Sequence, residues 1–162
     1  MFDKFGEIGS AAEINELAKN MLKEGDIAGI EVLAAENGID QYDTEDFIAG
    51  EVDFLCNDLM AAIGKLDVEH NDLQPKEIIQ DWEDYIRIQC QEKKEMAEAV
   101  RKKGKSLKGC IGKLLQWSFK NSYEVDKDIV KAAGVSANMV KMGIPGMKQA
   151  KKLIMEYYMG SK

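Results

Sequence analysis

At 162 residues the chain can bury a core of its own or form two small helical lobes without a covalent staple. Hydrophobic residues at 45% and charged residues at 31% give the balance of a globular protein, which argues against disorder except at the two ends. The net charge of -7 hides a division: residues 1–98 carry 25 acidic and 8 basic side chains, net -17, whereas residues 99–162 carry 4 and 14, net +10.

The helical period recurs along the chain, and the two-residue alternation of half-buried strands is absent over any useful length. Ser10 and Glu13 have capping-box spacing, so a first helix is expected from Ser10, with Ile14, Leu17, Ala18, Met21 and Leu22 inward and Gly25 ending it. A second should run from about Asp26 to Asn37, burying Ile27, Ile30, Leu33 and Ala34 and leaving through Gly38. A short third helix follows Asp43 or Thr44. Val52, Leu55, Cys56, Leu59, Met60 and Ile63 recur at three and four residues and predict a fourth. The polar run Asp67, Glu69, His70, Asn71 and Asp72 has no apolar stripe and is read as a connector.

That connector divides an acidic helical lobe, residues 1–70, from a second lobe, residues 71–162, whose C-terminal part is basic. Pro75 suits the first turn of the next helix, where Ile79, Trp82, Ile86 and Cys90 share a side and Trp82 is expected to anchor the core between lobes. A helix from about Glu92 to Lys102 breaks at Gly104. Ser106 can then cap one with Leu107, Cys110, Ile111, Leu114 and Ser118 inward, and Gly109 and Gly112 would allow close approach there. Short helices are expected over Asp126–Ala133 and Ser136–Met142, then a turn at Gly143–Gly146. A last helix should point Met147, Ala150, Ile154, Tyr157 and Tyr158 inward and Lys148, Lys151 and Lys152 outward. The fold class is all-α, a compact bundle of about eight to ten short helices.

Cys56, Cys90 and Cys110 are widely spaced and odd in number, as in a reducing compartment, and all fall on apolar stripes where a thiolate is disfavoured. The start of the chain lacks the form of a signal peptide, and no run approaches the roughly 18 apolar residues of a membrane span, so a cytoplasmic protein without a membrane partner is expected. Gly104, Lys105 and Ser106 look like the end of a phosphate-binding loop, but Ala99 stands where the motif needs glycine and a helix where it needs a strand. Asp40, Asp43, Glu45 and Asp46 crowd one segment, yet Tyr42 occupies a position that a calcium loop gives to a ligand. His70 has no partner at dyad spacing. No catalytic, metal or cofactor site is therefore expected.

Two charged clusters remain. Arg101, Lys102, Lys103, Lys105, Lys108 and Lys113 could engage nucleic-acid phosphates, or form solvated surface facing the chain's own acidic half. Asp40, Asp43, Glu45, Asp46, Glu51 and Asp53 are the acidic candidates for a cationic partner. Gly143–Gly146 followed by a helix is similar to a helix-hairpin-helix, in which glycine amides grip a phosphate, except that Gly143 sits one residue too far back.

From about Gln89 onward the chain resembles the PcfK-like proteins of mobile elements, a group whose relatives include anti-CRISPR inhibitors of the type II effector nuclease. The resemblance rests on Gly104-Lys105-Ser106-Leu107-Lys108-Gly109-Cys110, on Ala97, Ala99 and Val100 before it, and on Ala150, Ile154, Tyr157 and Tyr158 at the end. It implies a non-catalytic accessory protein of a phage or mobile element whose protein partner is a Cas nuclease. The acidic half would enter the cationic channel that such nucleases hold for nucleic acid. A nucleic-acid-binding accessory of conjugation or replication and a homo-oligomeric helical scaffold are the other two classes the sequence supports.

Overall fold

The computed structural model describes residues 3–160 and, among them, an all-α fold of nine helices with one short two-stranded ladder. Two compact units divide the chain, Met1–Lys108 and Gly109–Lys162. The division falls well after residue 70.

Local signals set most of the first unit. Helix α1 (Ala11–Glu24) starts where the Ser10 hydroxyl accepts the Glu13 amide at 3.2 Å, while the Glu13 carboxylate takes the Gly9 amide at 3.1 Å. Gly25, at φ 74°, ends it, and the Asp26 amide reaches back to the Met21 carbonyl in a Schellman turn. Helix α2 (Ile27–Glu36) is capped by Asp26 and left through Gly38 at φ 66°; Ile30, Leu33 and Ala34 are buried as expected, but Ile27 is exposed. Helix α3 (Gln41–Ala49) begins earlier than expected because the Asp40 carboxylate takes the Tyr42 amide at 2.8 Å.

The fourth helix is the main correction. Gly50 closes α3 at φ 80°, residues 51–57 form a loop, and α4 (Asp58–Leu73) starts only where Asn57 accepts the Met60 amide. Val52 and Leu59 are consequently exposed, whereas Leu55 and Cys56 are buried in the loop, which the Asn15 amide holds through both backbone groups of Cys56 at 2.8 and 3.0 Å. The expected connector is the last turns of α4. Its inner side chains Lys65 and Glu69 are buried and charged, so no apolar stripe marks it.

Helix α5 (Ile78–Glu92) buries Trp82, Ile86 and Cys90 inside the first unit, with Pro75 lying before the helix, outside its first turn. Helix α6 (Lys94–Arg101) packs on α4 and α5 through Met96, Ala97 and Val100. The N-terminal core joins Ile8, Ile14, Ile30, Leu33 and Phe47, and each such side chain contributes about 1.5–3 kcal/mol by leaving water. The end of α2 crosses α4 so closely that a Cβ on Gly64 would lie 2.2 Å from the Asn37 carbonyl oxygen. Gly64→Ala is expected to cost about 2 kcal/mol in a denaturant melt, and an unchanged midpoint would show that the crossing can open freely.

Helix α7 (Leu107–Lys120) buries Leu107, Cys110 and Leu114, while Gly112 faces open space and makes no close approach. From Gly109 on it belongs to the second unit. There β1 (Tyr123–Glu124) pairs antiparallel with β2 (Lys141–Met142), Tyr123 opposite Met142. Helix α8 (Lys127–Ala132), capped by Asp126, stands where a short helix is expected, but Ser136–Met142 is not helical and ends in β2. Helix α9 (Met147–Met159) buries Ala150, Ile154 and Tyr158 and leaves Met147 exposed. Among the described residues, no helix is long and apolar enough to cross a membrane.

Candidate interaction surfaces

The basic cluster does not survive as one surface. Arg101 is 1% exposed: its guanidinium donates to the Ile8 carbonyl at 2.9 Å, to the Ala61 carbonyl at 3.2 Å and to the Asn37 side-chain oxygen. It ties the N-terminal segment, α2 and α4 to α6. The fork geometry of arginine serves several acceptors in one plane, a structural role that the charge run concealed.

Lys65, also buried, donates to the Lys102 and Lys105 carbonyls at 3.2 and 2.6 Å and to the Glu7 carboxylate at 3.0 Å. The Gly104 amide points at the same carboxylate, 3.2 and 3.3 Å from its two oxygens. The turn that resembles a phosphate loop is thus closed on an anion from its own chain. Burial alone would raise the Glu7 carboxyl, but the Lys65 ammonium, the Gly104 amide and Arg101 together hold it below the usual carboxylate range. Lys102, Lys103, Lys108 and Lys113 remain exposed, and Lys105 is half-buried.

Glu69 lies beside this network, nearly inaccessible, with one carboxylate oxygen unpaired. Burial pushes its carboxyl up to about 7, against the smaller opposing pull of Lys65 and the Leu107 amide. Nearby, His70 does have a carboxylate partner: its Nδ1 sits 2.8 Å from Glu83, which also accepts from Arg87 at 2.7 Å, while Arg87 reaches Asp67 at 2.7 Å. These charge-assisted bonds fasten α5 to α4. Burial raises the Cys56 thiol to about 11 and the Cys90 thiol to about 12, so neither is a thiolate near neutral pH.

The acidic candidates divide differently. Asp43 and Asp46 of α3, Glu51 and Asp53 of the following loop, Glu16 of α1 and Asp58 of α4 line one groove of about 960 Å³. Among the described residues Lys19 and Lys23 line the groove with these six acids, and Lys94 pairs with Asp58 at 3.5 Å. Phe54 stands on the groove with 57% of its surface exposed, the Lys19 ammonium 4.0 Å from its ring, and Val52 lies beside it. Asp40 and Glu45 are not part of it. Asp40 caps α3, and Glu45 accepts from Gln41 at 2.8 Å and lines a separate hollow beside α2.

Glu16, Asp58 and the exposed Phe54 join the groove although they lie outside the expected acidic cluster. Acidic residues flanking an aromatic in Glu51-Val52-Asp53-Phe54 are the signal that marks the loop as surface. Family models, curated proteins and solved structures provide no match to the chain.

In the second unit, Gly143 has a packing role in place of the phosphate grip a helix-hairpin-helix would give it. A Cβ there would meet the Ser118 carbonyl oxygen of α7 at 2.6 Å.

Proposed function

We propose that this chain works without catalysis, by docking the acidic groove of its first unit onto a cationic surface of a partner protein. The observation that carries the reading is the meeting of Asp43, Asp46, Glu51 and Asp53, from two elements, around the exposed Val52 and Phe54. An apolar centre within a charged rim is the anatomy of a protein interface, and six acids against two lysines select a cationic partner. The PcfK-like resemblance supplies the finer proposal, that the partner is a type II CRISPR effector nuclease and the surface its nucleic-acid channel.

The test is nuclease inhibition by a variant carrying Asp43→Lys, Asp46→Lys, Glu51→Lys and Asp53→Lys. All four positions are exposed, so folding should hold while inhibition weakens at least about tenfold. Inhibition of unchanged strength would remove the groove from the interface.

A second reading has an observation of its own. Lys102, Lys103, Lys108 and Lys113 are exposed, as phosphate contacts require. Nucleic-acid binding through them would fall steeply with salt and flatten its slope as they are replaced; no binding at low salt would discard it.

A further inference from the structure

Helix α7 has no acidic residue along Leu107–Lys120, and its exposed side carries two large apolar side chains among lysines. Leu115 and Phe119, one turn apart on the same face, are 54% and 79% exposed. Gly112 extends that face toward the N-terminus with open space above it, and Lys113 and Lys120 run along one flank. A leucine and a phenylalanine left in water on one stripe mark a contact surface, because covering each contributes about 1.5–3 kcal/mol. The flanking charge is wholly positive, so the complementary surface must be acidic with an apolar centre.

The groove between α1, α3 and the 51–57 loop has that chemistry, with six acids, two lysines and the exposed Val52 and Phe54. We infer that α7 of one copy docks into the acidic groove of a second copy, Leu115 and Phe119 meeting Val52 and Phe54 while Lys113 and Lys120 lie among Asp43, Asp46, Glu51 and Asp53. This is helix-in-groove recognition with anchors four residues apart. The contact joins unlike surfaces: mutual exchange closes a dimer, and one-way exchange builds a chain. Either assembly covers the groove assigned to the partner, so self-association competes with docking. The inference shares that groove with the proposed function but needs no foreign partner, and each can fail alone.

Sedimentation velocity on the full chain tests it with two charge-swapped variants. One carries Asp46→Lys and Asp53→Lys, the other Lys113→Glu and Lys120→Glu; all four sites are exposed, and circular dichroism verifies unchanged helix content. Wild-type protein should exceed the 18.1 kDa monomer at about 0.02 M salt and return to it at about 0.5 M. Each variant alone should stay monomeric, and an equimolar mixture should assemble again, because the unaltered acidic groove of the helix variant then meets the unaltered basic helix of the groove variant. Phe119→Ser, a single exposed change, should also abolish assembly. A wild-type chain that is monomeric at every concentration and salt overturns the inference, as does a mixture that fails to associate or a variant that assembles alone.

Discussion

Arg101→Ala is expected to lower folding stability by about 4 kcal/mol, read as a fall in the denaturant midpoint at constant slope. The side chain is 1% exposed, and its removal strands the Ile8 carbonyl and the Asn37 side-chain oxygen in the interior and takes the second donor from the Ala61 carbonyl of α4. Each buried acceptor left without a donor costs about 1–3 kcal/mol. Arg101→Lys should recover little, since one ammonium cannot serve three acceptors spread around a guanidinium. Lys102→Ala and Lys103→Ala, next in sequence but exposed, should stay within about 0.5 kcal/mol of wild type. A loss below about 1 kcal/mol for Arg101→Ala would mean that the N-terminal segment, α2 and α4 are not joined through it.

Glu69→Gln should remove about 3 kcal/mol of pH dependence between pH 4.5 and pH 8. Its carboxyl is pushed from 4.5 to about 7, so the native state holds the proton more tightly than the unfolded chain. The stability this contributes is fully present below pH 4.5 and is lost as pH rises through 7, where the buried group must ionise. Lys65 on α4, the Leu107 amide at the start of α7 and Arg101 on α6 favour the ionised carboxyl without outweighing burial, and the Glu7 carboxylate opposes it. Glutamine keeps the shape without the titration. Unfolding free energies across pH should therefore show the variant gaining on wild type as pH rises toward 8. Parallel curves would show that Glu69 is solvated in the native state. Glu7, whose carboxyl is held low, works in the opposite direction: its contribution is present above the ordinary carboxylate range and is lost as pH falls through its lowered folded value.

Where one backbone signal decides an element, the sequence was legible. Ser10 with Glu13, Gly25, Asp26 and Gly38 mark the ends of α1 and α2 by local hydrogen bonds and left-handed turns, so those helices stand where they were expected. Misreadings arose where long-range contacts outweighed periodicity. Leu55 and Cys56 keep helical spacing with Leu59, yet the Asn15 amide holds them in a loop. The last turns of α4 turn Lys65 and Glu69 inward, toward partners at Glu7, Lys102, Lys105 and Leu107 far along the chain.

The charge clusters were half legible for the same reason. Charge counting locates both, but it cannot tell a buried guanidinium from a solvated ammonium, and Arg101 is buried. Asp40 and Asp43 differ in role although three residues apart, because one caps α3 and the other lines the groove. Glu16 and Asp58 lay outside the acidic run and join the groove only through the packing of α1, α3 and α4.

In the proposed function the acidic groove takes the place of nucleic acid on a cationic protein surface. Displacement of labelled target DNA from a guide-loaded type II CRISPR nuclease, titrated with this protein over a range of salt, tests it most directly. Dose-dependent release that weakens as salt rises and disappears with the four lysine substitutions at Asp43, Asp46, Glu51 and Asp53 is the predicted result. DNA that stays bound across several such nucleases, or release that those substitutions leave unchanged, would contradict it.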